Sequence, residues 1–269
     1  MGASIICVEP KSMILLCLCS TVISVTPAVA PSAHTLLIGS VIHAATRLPG
    51  PIAPGEIVSI LGTALGPSTG VSYVLNSASG AIDTTLQGTR VLFSSVPAPI
   101  LYSSASQIIA IVPHEVGGQS QVIVQVEYQG ASATQTVPVA SASPGAFITG
   151  GTGSGPAVAL NQNGSVNSPS SPAAQGSKVT IYFTGGGETI PPGVTGSVAN
   201  VPSNLTQPIL VRVGGEQATV LYAGAAALFV DGVDQLTIQL PPNTRSGAQL
   251  LMITIAGISS PASATLSIQ

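Results

Sequence analysis

The chain writes one phrase twice. "PILYSSASQIIAIVP" (Pro99–Pro113) and "VLYAGAAALFVDGVDQLTIQLP" (Val220–Pro241) share a Leu-Tyr pair, a Gln that opens an apolar run, and a closing Pro. Val91 falls on Val211, Ala98 on Ala218, Leu101 on Leu221 and Tyr102 on Tyr222, all at an offset of about 120 residues. A second block agrees: "PGEIVSILGTALG" (Pro54–Gly66) matches "QGSKVTIYFTGGG" (Gln175–Gly187), pairing Gly55 with Gly176, Val58 with Val179 and Ile60 with Ile181. After its tyrosine the second copy carries a few extra residues, "AGAAALFVDGVD", before Gln235 aligns with Gln107. A tandem duplication of that period makes two domain-sized units, since domains typically run about 100 to 150 residues.

Within each unit the apolar residues alternate. Val179, Ile181 and Phe183 share one face of "KVTIYF", and Leu236, Ile238 and Leu240 share one face of "QLTIQL" with Gln235, Thr237 and Gln239 opposite. That is a period of two, the signature of a half-buried strand. "QVIVQVEY" sets Val122, Val124, Val126 and Tyr128 against Gln121, Gln125 and Glu127, then "QGAS" turns the chain into "TQTVPVA". This predicts a hairpin, and "MITIAGISSPASATLSI" (Met252–Ile268) predicts its counterpart. Short strands, frequent turn signals and no amphipathic helix predict an all-β chain of two tandem immunoglobulin-like antiparallel β-sandwiches. Their spans are residues 31–142 and 143–269. Tyr102 and Tyr222, repeated in both copies, read as packing residues whose hydroxyls bond to backbone.

Composition narrows the functions. Only 6% of the 269 residues are charged and the net charge is −3, so no basic surface exists to neutralise phosphates and nucleic acid is not an expected partner. Hydrophobic residues make up 45%, too many for a disordered chain. With aromatics at 3% and no Trp the core must be aliphatic, and stacking platforms are scarce.

Near the start, "MILLCLCSTVISV" follows Lys11 and leads into "TPAVAPSA", the layout of a secretory signal peptide over residues 1–30, with cleavage after Ala28 or Ala30. Cys7, Cys17 and Cys19 all fall in or before it, so the mature chain is expected to carry neither disulfide nor thiolate metal site. No later stretch is apolar enough to span a membrane.

Candidate chemistry is sparse. Ser154 in "GGTGSGPA" lacks the G-x-S-x-G elbow, and His34, His43 and His114 read as solvated loop residues. Asp231 and Asp234 in "VDGVDQ" are the candidate binding loop; two acids and one Gly fall short of a calcium motif, and an ordinary turn with a strand start is the simpler reading. Glu188 and Glu216 have no partner acid for glycosidase chemistry. Asn163 and Asn204 fit the glycosylation rule but read as turn residues. No catalytic residue, cofactor or metal is expected.

The phrases at Ala45–Pro67, Gly88–Val116, Ala159–Thr189 and Val211–Pro241 resemble an uncharacterised C-terminal domain family of secreted Acidobacteria (Solibacter-type) proteins, and each half resembles an IPT/TIG immunoglobulin-like domain. The resemblance runs from about Val41 to Gln269. It implies the sandwich fold and export, and brings no catalytic residue. The expected protein is a non-enzymatic extracellular or cell-surface module for adhesion, scaffolding, or glycan or protein binding, its partner an envelope component, polysaccharide or protein. The alternatives are an accessory module, an exported hydrolase or a ligand-free spacer. The surfaces favoured for binding are the connection Ile148–Gly176 and the insertion Ala223–Gly232.

Overall fold

Alternating apolar residues become strands wherever a neighbour can cover one face. In the computed structural model, which describes residues 35–269, the first half runs β1 (Leu37–His43), β2 (Ile57–Thr63), β3 (Thr89–Phe93), β4 (Ile100–Ser103), β5 (Gln107–Ile111), β6 (Gln121–Tyr128) and β7 (Ala131–Pro138). The second half runs β8 (Lys178–Thr184), β9 (Ile209–Val213), β10 (Glu216–Ala225), β11 (Asp234–Gln239), β12 (Gly247–Ile255) and β13 (Ala264–Ile268), with shorter strands between. The leader, the three cysteines and His34 lie outside the described residues. No α-helix occurs among those described, and so none long and apolar enough to cross a membrane.

In the first half one sheet is ordered β1-β2-β5-β4 and the other β7-β6-β3, each extended by a two-residue strand. The second half repeats the pairings: β8 with β11, β11 with β10, β9 with β12, and β12 with β13, all antiparallel. The duplicated phrase has a structural cause. Register shifts between Ile100 and Tyr102 on β4, and again between Val220 and Tyr222 on β10, so Leu101 and Leu221 are bulge residues in the two copies. A bulge re-aims the following side chain and increases the local twist.

The copies differ where proline intervenes. Pro97 and Pro99 have no N–H to donate, so the first copy's strand is interrupted between Val96–Pro97 and Ile100, where single backbone bonds remain from the Ala98 N–H to Val91 O and from the Ile111 N–H to Pro99 O. Gln217 and Thr219 occupy the aligned positions in the second copy. There β10 runs unbroken, pairing β9 through Ala218 and β11 from Thr219, and joins the two faces of the sandwich along one strand.

Each half has its own core. Val58, Ile60, Phe93, Ile108, Val124 and Val126 are fully buried in the first, and Val179, Ile181, Phe183, Leu236, Ile238 and Ile253 in the second. Burying each such side chain stabilises by roughly 1.5 to 3 kcal/mol. The β6–β7 hairpin turns at Gln129 (φ 50°) and Gly130 (φ 80°), and β12 turns at Ala256 (φ 52°) and Gly257 (φ 81°), the paired positive φ values that fit the strand twist. In the second hairpin the return is interrupted: Ile258–Ser259 pairs with β12, the chain leaves at Pro261, and β13 resumes the pairing. The Ile148–Gly176 connection is partly structured. Asn167, buried within it, binds both the carbonyl and the N–H of Ser267 on β13.

Candidate functional site

The most polar constellation lies where the two halves meet. A third apolar cluster forms there: Ile57, Ile82 and Ile111 from the first half pack with Phe147, Val230 and Val233 from the second. The insertion after Tyr222 supplies Val230 and Val233, so these extra residues fold onto the first sandwich. Gly232 permits the approach. Its φ is +105°, and a Cβ there would come 2.5 Å from the Gly55 carbonyl oxygen. The Ile57 N–H donates to Thr184 Oγ1 across the joint at 2.9 Å.

His114, in the short 3-10 turn His114–Val116 after Pro113, faces the insertion. Its Nε2 lies 2.8 Å from Asp231 Oδ2 and its Nδ1 3.9 Å from Glu188 Oε2. Its backbone N–H donates to Thr195 Oγ1 at 3.1 Å, and the Thr195 hydroxyl donates to Glu115 Oε2 at 3.0 Å. Gly193 packs against this pair so closely that a Cβ would run into His114 Nε2 and come within 3.0 Å of Asp231 Oδ1. Burial alone would lower the His114 pKa; the hydrogen bond to Asp231 and the charges of Asp231, Glu188 and Glu115 outweigh it and hold the pKa above the usual value.

Asp234 opens β11 and turns the other way, its Oδ2 accepting the Gly186 N–H at 2.9 Å. Burial pushes its carboxyl up to about 7, with the nearby Asp231 charge adding to the rise, while Gly186 and His114 oppose it. Beside it, the Tyr222 hydroxyl donates to the carbonyls of Ala225 (2.8 Å) and Ser203 (3.1 Å), the backbone bonding expected of it. Tyr102 packs against Gly70 instead.

A second polar contact lies deeper. His43, at the end of β1, accepts the N–H groups of Ala45 (3.1 Å) and Thr46 (3.2 Å) on Nδ1, and Nε2 donates to the Ser143 carbonyl at 3.0 Å. Burial lowers its pKa to about 4. Both ring nitrogens are committed, so the imidazole has no free lone pair to act as a base. Glu56 is fully buried: Oε2 accepts the Ala53 N–H at 2.8 Å, and Oε1 has no hydrogen-bond partner, being 3.9 Å from His43 Nε2. Burial pushes its carboxyl well up, opposed by the Ala53 N–H and the Ser143 side chain.

These positions correct one expectation. His43 and His114 are not solvated loop residues; their side chains are 8% and 12% exposed, because the second half covers them. Asp231 and Asp234 do lie in a turn and at a strand start, yet they converge on no common point. Among the described residues no group of three or more His, Cys, Asp or Glu is placed to hold a metal ion. Sequence reasoning misses Glu56 altogether and the buried place of His114, although a signal exists: the aligned positions of the second copy carry Ser177 and Pro242. A charged or titratable residue present in only one copy marks where the copies have different surroundings.

The described chain is therefore a pair of immunoglobulin-like β-sandwiches with a polar joint. Residues 40–139 are an IPT/TIG domain, a match that spans β2 to β7 and most of β1. No curated protein matches the chain.

Proposed function

We propose that this chain is a non-enzymatic extracellular module serving adhesion, scaffolding or binding, with its two sandwiches held together by the joint. The observation that carries the reading is the IPT/TIG domain at 40–139 followed by a second sandwich whose Asp231 meets His114 of the first across the joint. Immunoglobulin-like sandwiches present ligands on loops and edges. Export rests on the leader-like N-terminus and on the resemblance to secreted Acidobacterial proteins. The test is a pull-down with residues 31–269 against the host's envelope fraction and a panel of polysaccharides, with and without calcium. Saturable binding to one material is the expected result; a well-folded protein that binds nothing points to a spacer. Sequencing the mature N-terminus in the host checks export, with a start at Val29 or Pro31 expected.

A further inference from the structure

Of the seven asparagines in the chain only Asn163 is followed by glycine; the other six precede Ser, Gln, Val, Leu or Thr. The backbone nitrogen of the residue after an asparagine can attack the carboxamide carbon and close a cyclic imide. A side chain on that residue crowds the attack, and glycine has none. The fold places this pair at a hairpin tip within the Ile148–Gly176 connection. Asn161 N–H donates to Ser165 O at 2.8 Å and Gly164 N–H to Asn161 O at 2.9 Å, while Leu160 pairs antiparallel with Val166. Gly164 takes φ +82°, the left-handed position that closes such a three-residue loop, and a Cβ there would meet nothing within 4 Å. Asn163 and Gly164 are both exposed, so water and hydroxide reach them.

The carboxamide is also polarised. Its Oδ1 accepts the Ser165 N–H at 3.0 Å, which fixes the way the amide faces, and the Ser165 hydroxyl at 2.7 Å. That hydroxyl oxygen in turn accepts Asn161 Nδ2 at 3.1 Å and lies 2.9 Å from Ser171 Oγ. Two donors thus stand at the oxygen that becomes negative when a nucleophile adds to Cγ, the arrangement of an oxyanion hole. We propose that Asn163 is a self-modifying site that deamidates in the folded chain. The Gly164 N–H leaves its bond to Asn161 O and gives its proton to hydroxide, and the nitrogen bonds to Asn163 Cγ. The Cγ–Nδ2 bond then breaks, and ammonia departs with a proton from water. Water opens the imide on either side: addition at Cγ gives aspartate, and addition at the backbone carbonyl carbon gives isoaspartate, with the main chain rerouted through the side chain. Either product adds one negative charge to a chain of net charge −3, on the wall of an open cavity of about 410 Å³ lined also by Asn161, Gln162, Ala173 and Ser177. Asp231–Gly232 has the same sequence logic but is held back, since its carboxylate is buried against His114 and would have to expel water rather than ammonia.

The test uses the full mature chain, residues 31–269, incubated folded at pH 7, 8 and 9, digested with pepsin in acid, and read by mass spectrometry with electron-transfer fragmentation. Asn163 is expected to convert ahead of the other six asparagines, faster at higher pH, to a mixture of aspartate and isoaspartate with release of ammonia. Ser165→Ala should slow the conversion by about two- to tenfold, the worth of one hydrogen bond. Ser165→Thr keeps the hydroxyl and should convert at close to the parent rate; thermal melts check that both variants are folded. An Asn163 that stays intact in the folded parent, or that converts only in urea, overturns the proposal. So does a Ser165→Ala variant that converts as fast as the parent, because the turn then contributes nothing. These outcomes are independent of what the module binds.

Discussion

Asp231 and Asp234 are separated by two residues and have different electrostatic fates, because one meets an imidazole and the other only a backbone N–H. Asp231 helps hold the His114 pKa above 6.5. A folded pKa raised above the unfolded value means that this stabilisation is complete below about 6.5 and is lost as pH rises through the folded value. His114→Gln should therefore cost about 1.5 to 3 kcal/mol in mild acid, the range for a hydrogen bond to a charged group. Thermal melts from pH 5.5 to pH 9 should show parent and variant converging as pH rises; a gap that widens instead would sink the assignment. Gly232→Ala is expected to be severe for a different reason. A non-glycine residue at φ +105°, with its Cβ 2.5 Å from Gly55 O, must move the insertion off the first sandwich. Strained backbone of this kind costs about 1 to 3 kcal/mol, and urea denaturation should show at least that loss.

At the scale of the element, two prolines decide how each copy joins its sheets. Pro97 and Pro99 break the first copy's strand, while β10 crosses unbroken through Gln217 and Thr219. Thr219→Pro writes the first copy's residue into the second. It takes away the backbone N–H opposite Gln239, at the point where β10 has left β9 and pairs with β11, so a loss of about 1 to 3 kcal/mol is expected. Equilibrium denaturation followed by circular dichroism measures it, and a loss below about 1 kcal/mol would show that β10 does not depend on its continuity. The strands themselves were legible. Val122, Val124 and Val126 are buried as the alternation predicts, and so are Val179, Ile181 and Phe183. The interruption of the second hairpin at Pro261 and the strand content of the Ile148–Gly176 connection were less so, since turn-rich composition there masks short pairings.

For the whole molecule, the joint makes each half depend on the other. Separated, residues 35–142 and 143–269 would expose Ile57, Ile111, Val230 and Val233 and would leave Glu56 and His43 without their cover. Each half is expected to remain β-rich yet melt below the intact chain; halves that melt at the parent temperature would mean the joint contributes nothing. The buried groups also set the pH response. Glu56, Asp234 and His114 all have raised pKa values, so their contributions are complete at low pH and fade as pH rises, Asp234 between about 3.8 and about 7. His43 opposes them: lowered from 6.5 to about 4, it removes stability as pH falls through that window. Above about 6.5, where His43 is neutral folded or unfolded, nothing in this set opposes the other three, so the melting temperature is expected to decline as pH rises from there. Asp234→Asn keeps an acceptor for the Gly186 N–H without the buried charge, so the variant should gain on the parent above pH 7; an unchanged slope would count against the assignment.

The duplication, the period-two strands, the hairpins and the two aliphatic cores were determined by the sequence alone, because each is a local pattern that chain geometry reads within a few residues. The tertiary structure decided the rest. Asp231 meets His114 across 117 positions and Ser143 meets His43 across 100, separations at which no periodicity carries information. The insertion looked like a loop by its composition. Only the packing of the second sandwich against the first turned one side of it into a joint, left the other side exposed, and buried the few titratable groups between the two.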